Sequence, residues 1–138
     1  IEASTLAHLL AGHLLRRYGT GPVPYRGPAG ELRRGAVDVV AEYIRAHLAD
    51  VITLDNLAGA VSLSPYHFAR SFRATTGMTP HAFVTEHRLM VARDRLLRGG
   101  ASVTAIALSV GFSNISHFRR LFRRRYGVTP AGLRAVAR

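Results

Sequence analysis

The stretch Gly111-Phe112-Ser113-Asn114-Ile115-Ser116-His117-Phe118-Arg119-Arg120-Leu121-Phe122-Arg123-Arg124-Arg125-Tyr126-Gly127 decides how this chain is read. Ser113 is expected to cap a helix, because a serine hydroxyl satisfies the free N–H groups at a helix start, and Gly127 is expected to end it. On that helix Ile115, Phe118 and Phe122 recur at spacings of three and four and share one side, while Ser116, Arg120 and Arg123 share the other. One face needs a core; the other needs a polyanion.

The stretch Val61 to Gly77 repeats this pattern at an offset of 49 to 50 residues. Leu57-Ala58 matches Ile106-Ala107, Val61 matches Val110, Leu63 matches Phe112 and Ser64 matches Ser113. After one inserted residue the match resumes, with His67-Phe68 on His117-Phe118, Arg70 on Arg120, Phe72-Arg73 on Phe122-Arg123, Gly77 on Gly127 and Thr79-Pro80 on Thr129-Pro130. Two copies of one unit account for this, and the period is too long and the copies too few for a solenoid.

Around the repeat, Ser4 is expected to cap a helix to about Tyr18 with Leu6, Leu9, Leu10, Leu14 and Leu15 on a broad apolar stripe. That helix either docks on the main domain or ends a sensor or dimerisation domain. Four glycines and three prolines between Gly19 and Gly30 then read as a linker. Residues 1–30 are therefore set apart from a main domain at 31–138. In it, Val37, Val40, Ala41, Ile44 and Leu48 predict a helix over Glu31 to Leu48. Thr53 is expected to cap Leu54 to Ala60, with Leu57 and Ala58 inward. A tight turn at Val61-Ser62-Leu63 leads to Ser64 as cap and Pro65 as first residue of a helix to Thr76. Short helix, turn and longer helix form a helix-turn-helix. The first copy spans about 53–77 and the second about 102–127. Between them Pro80 to Arg98 predicts a linking helix of about 28 Å at 1.5 Å per residue. Ser102 is expected to cap Val103 to Ser109, and Thr129-Pro130 to start a short last helix.

Composition narrows the partner. All 19 basic residues are arginine against 8 acidic ones, a formal net charge of +11, and nine arginines but no carboxylate follow Asp94. Arginine pairs bidentately with phosphate and with guanine edges. The lack of cysteine removes disulfides, thiolate metal sites and thiol nucleophiles. No nucleophile elbow, phosphate-cradling glycine loop or paired carboxylates are present, and the histidines lack ligand spacing. No enzyme activity, metal or cofactor is expected. No apolar run reaches a membrane span and no signal peptide is evident, so a cytoplasmic protein without a membrane partner is expected. Beginning at Ile1, the sequence is expected to be the C-terminal part of a longer chain.

These residues resemble the tandem helix-turn-helix domain of AraC/XylS-type bacterial transcription regulators. The resemblance covers roughly Leu32 to Arg134. It is carried by Gly111 to Arg123 with Gly127, Thr129-Pro130 and Arg134, by Ser64-Pro65-Tyr66-His67-Phe68-Ala69-Arg70-Ser71-Phe72-Arg73, and by Arg88-Leu89 with Ala92. Leu133, where an aromatic is usual, and Ala69, bland at a base-reading position, depart from the pattern. The resemblance implies an all-α domain of about seven helices, besides the separate N-terminal one, and a transcription regulator of the bacterial nucleoid. Both reading helices would enter adjacent major-groove segments of double-stranded promoter DNA. Base reading would fall to Tyr66, Ala69 and Arg70 in the first copy and to Ser116, His117 and Arg120 in the second. Arg73, Arg119, Arg123 and Arg124 are expected to hold phosphate. Arg125, near the apolar side of its helix, is expected to pack its stem inward and is not assigned to DNA. RNA polymerase is the further partner expected, and a homodimer would form through a preceding domain.

Overall fold

A computed structural model describes residues 30–137. The helix expected from Ser4 and the linker up to position 29 lie outside the described residues. Within them the chain is all-helical, with seven helices and no strand: α1 (Ala36–Ala46), α2 (Leu54–Ala60), α3 (Pro65–Thr76), α4 (Pro80–Arg98), α5 (Val103–Ser109), α6 (Ile115–Tyr126) and α7 (Pro130–Ala137). They form two compact units, one drawing on residues 30–46 and 52–84, the other on 47–51 and 85–137.

In the first unit, α1 is shorter than the expected Glu31 to Leu48. It begins after a turn in which the Ala36 N–H meets the Arg33 carbonyl at 3.1 Å, with Gly35 at a positive φ of 85°. Leu32 lies outside the helix yet is buried, its N–H donated to Thr75 Oγ1 at 2.9 Å. Helical spacing of apolar residues runs past the C-terminal end because Leu48, buried in the following turn, keeps the period. Val40, Ala41 and Ile44 form the buried stripe of α1. Helix α2 is capped as expected: Thr53 Oγ1 accepts the Asn56 N–H, and the Asn56 side chain accepts the Thr53 N–H, each at 3.0 Å. Ser64 caps α3 by accepting the His67 N–H, Pro65 occupies its first turn, and Gly77 ends it in the left-handed conformation. Phe68 and Phe72 are fully buried, 5.3 Å apart, and Phe83 meets Phe72 edge-on at 5.0 Å. Arg33 donates to the Val61 carbonyl at 3.1 Å and so braces the turn from α1's side.

In the second unit, Leu89, Ala92 and Leu96 of α4 close on Ile106, Ala107, Val110, Phe112, Phe118 and Phe122. Arg95 reaches across to Ser109 Oγ at 2.7 Å, and Arg134 donates to the Ala101 carbonyl. Arg88 donates to the carbonyls of Leu48 and Asp50, at 3.3 and 2.7 Å. Burial lowers the affinity of its guanidinium for the proton below the ordinary arginine range, and the carbonyls offset part of that cost. Gly111 lies against this cluster at φ +102°, where a Cβ would run into the Leu48 carbonyl and come within 2.6 Å of Arg88 Nε.

The cap of α6 is Asn114, not Ser113: Asn114 Oδ1 accepts the His117 N–H at 2.9 Å. The inserted residue therefore falls in the turn, and Asn114 stands where Ser64 stands in the first copy. Aligning serine with serine placed the insertion one residue too late.

One substitution tests the turn, one tests α2, and one pair tests the cap. Gly111→Ala is expected to destabilise by about 3 kcal/mol or more, through backbone strain plus collision with fixed atoms. Gly59→Ala, at an open position inside α2, is expected to stabilise by about 0.5–1 kcal/mol. Urea denaturation followed by circular dichroism reads both signs. By the same measurement Asn114→Ala should cost about 1 kcal/mol, and Ser113→Ala less than about 0.5 kcal/mol.

Candidate nucleic-acid interface

Each copy presents its longer helix with one side committed to the core and the other free. On α6, burial of Phe118 and Phe122 turns Ser116, His117, Arg119, Arg120, Arg123 and Arg124 outward, and all six are exposed. No carboxylate lies on the helix. Ser116, His117 and Arg120 are brought together on one surface, where Arg120 Nη2 lies 3.0 Å from His117 Nδ1.

Arg125 is drawn away from that surface. Its guanidinium forks onto Glu86 of α4, with Nε 2.9 Å from each carboxylate oxygen and Nη2 2.8 Å from Oε2. It also lies 4.8 Å from the Tyr126 ring centroid, and Arg93 covers the same ring at 5.1 Å. The hydrogen bond to Glu86 raises the Arg125 guanidinium further above its already high range. Its side chain stays half exposed, so the ion pair holds it rather than an inward-packed stem. Burial, followed by the charge of Glu86, pushes the Tyr126 phenol up from its usual range.

On α3 the corresponding positions carry less charge. Tyr66 is 71% exposed and accepts a hydrogen bond at 3.3 Å from Arg70 Nη1, whose guanidinium lies 5.7 Å from the Tyr66 ring centroid. Arg73 is exposed, and Ala69 is half-buried between the two faces. A methyl side chain there offers a partner only van der Waals contact. Two supports were not singled out for these roles from sequence: Glu86, which takes Arg125 out of the exposed set, and Arg33, which braces the first turn. Neither had a local signal, since their partners lie 39 and 28 residues away.

No helix among the described residues is long and apolar enough to cross a membrane. A family described as a helix-turn-helix domain matches residues 57–135. Among curated proteins, the chain is 40% identical over 92 residues to the regulatory protein PocR of Salmonella typhimurium, covering 67% of this chain and 30% of PocR. It is 37% identical over 98 residues to the transcriptional activator RhaS of Escherichia coli, covering 71% and 35%. It is also 32% identical over 102 residues to AdaA of Bacillus subtilis, a bifunctional transcriptional activator and DNA repair enzyme, covering 74% and 48%. The chain thus spans less than half the length of these relatives. Among solved structures, a probable AraC family regulator from Rhodopseudomonas palustris superposes with a TM-score of 0.68 at 36% identity, covering 75% of this chain and 98% of that one. The DNA-binding domain of AdpA, solved with a target DNA, superposes at 0.67 and 30% identity, covering 75% and 93%. With the repeated corner and the exposed basic helix in place, these likenesses assign the fold and its class: the chain belongs to the AraC/XylS-type family of helix-turn-helix DNA-binding transcription regulators.

Proposed function

We propose that this chain is the sequence-specific DNA-binding part of a transcription regulator, inserting α3 and α6 into adjacent major-groove segments of a promoter operator. The observation that carries this reading is the outward face of α6, where Ser116, His117 and Arg120 sit together and arginines flank them. Arg120 reads a guanine through O6 and N7, a contact worth about 1–3 kcal/mol of discrimination. Ser116 and His117 complete the second base-reading set, and Tyr66, Ala69 and Arg70 form the first. Arg73, Arg119, Arg123 and Arg124 anchor phosphates, which sets register without choosing sequence. The domain begins near residue 31, after the linker. Recruitment or obstruction of RNA polymerase is the consequence for the promoter.

Selection of binding sites from random duplexes is expected to enrich a defined sequence. Binding to it should weaken by about 10³ to 10⁵ between 50 and 200 mM salt if 6 to 10 phosphates are contacted. Salt loss without an enriched sequence would reduce the chain to a merely basic module. Against the selected duplex, Arg120→Ala should lose more affinity than Arg70→Ala, since α6 carries the denser face; the reverse order would move the main reader to α3. Arg124→Ala should flatten the salt dependence by about 0.9 in log–log slope. Arg125→Ala should leave that slope unaltered, because its charge is already held by Glu86.

A further inference from the structure

The two base-reading arginines share a feature that their positions alone do not require: each is hydrogen-bonded to a ring on its own helix. Arg70 donates to the Tyr66 hydroxyl at 3.3 Å, and Arg120 Nη2 lies 3.0 Å from His117 Nδ1. A guanidinium has no acceptor, so the second contact is a hydrogen bond in the tautomer whose Nδ1 accepts. The imidazole is itself held. Its ring meets Phe112 edge-on with centroids 6.2 Å apart, Phe112 is buried against Phe118 at 5.1 Å, and the His117 N–H is fixed on Asn114. A line of contacts thus runs from the core through Phe112 and His117 to Arg120. Tyr66, by contrast, is largely exposed and holds Arg70 only through its hydroxyl and ring face.

We infer that His117 and Tyr66, within the base-reading sets proposed above, also act as positioning residues that hold Arg120 and Arg70 in the orientation used on a base edge. The inference rests on the base-reading role proposed for the two arginines. A free arginine on a basic helix gives up several rotatable bonds when it docks, and a nearby phosphate competes for it. With one hydrogen of Nη2 engaged by His117, its second hydrogen and those of Nη1 remain for the guanine O6 and N7.

The test uses the duplex selected from the random pool and all its single-base-pair variants, with the full chain. Arg120→Ala first marks the base pair whose preference it abolishes; if it marks none, the base-reading role itself fails. His117→Ala is then expected to lower the preference at that same pair about five-fold, the factor one hydrogen bond is worth. His117→Gln, whose side-chain oxygen can accept, should restore most of it. Tyr66→Phe should weaken the preference marked by Arg70→Ala. The inference is overturned if His117→Ala leaves the preference marked by Arg120→Ala unchanged, or if His117→Gln fails to restore it.

Discussion

Each copy depends on one main-chain hydrogen bond across its corner, from the Leu63 N–H to the Ala58 carbonyl in the first and from the Phe112 N–H to the Ala107 carbonyl in the second, both 3.0 Å. The bond lets a short helix end and a longer helix begin within a few residues, and the buried Val61 or Val110 at the corner sets which way the next helix rolls. Side chains on a helix repeat every 3.6 residues, so fixing one buried position fixes the rest. Once Phe118 is inward, Phe122 is inward also, and Ser116, His117 and Arg120 are outward by geometry. The surface proposed to face DNA is thus aimed from its hidden side.

The two corners meet that constraint with different chemistry. Ser62 takes a φ of 62°, within the left-handed region that L residues occupy at modest cost. Gly111 takes 102° and lies so close to the Leu48 carbonyl and Arg88 that no side chain fits. Arg88 thereby does two things: it satisfies the carbonyls of Leu48 and Asp50, and it forms the wall against which the second corner is built. Its charge faces main chain and not a partner, although it belongs to an arginine-rich chain that composition alone assigns to a polyanion.

What could be read from sequence is what short range determines. Thr53, Ser64 and Ser102 cap the helices expected of them, and the phenylalanine pairs are core, because a cap needs only the next three residues and a buried stripe only the helical period. Asn114 displaced Ser113 because either side chain can cap, and the choice depends on where the corner bond releases the chain. The C-terminal end of α1 differs from the expectation because Leu48 is buried from a turn yet keeps the helical period. The Arg125–Glu86 fork and the Arg88 clamp join residues 39 and 38 to 40 apart, so only the folded chain brings them together. Among the exposed residues the sequence sorted arginines by helical face; it had no means of showing that His117 would hold one of them.

The charge on α6 opposes the helix that carries it. Arg119 and Arg123, and Arg120 and Arg124, stand four apart on one helix, where like charges cost a few tenths of a kcal/mol per pair. Burying Phe118 and Phe122 contributes roughly 1.5–3 kcal/mol each, so the core outweighs the repulsion several times over. The fold therefore tolerates the cluster without needing it. Where an arginine of α6 does serve the fold, it is neutralised inside the unit, as Arg125 is by Glu86. Arg119, Arg120, Arg123 and Arg124, exposed on the same helix, form a surface whose mutual repulsion an external polyanion would relieve. Stability is supplied by the buried phenylalanines, and the charge is carried by the residues they force outward.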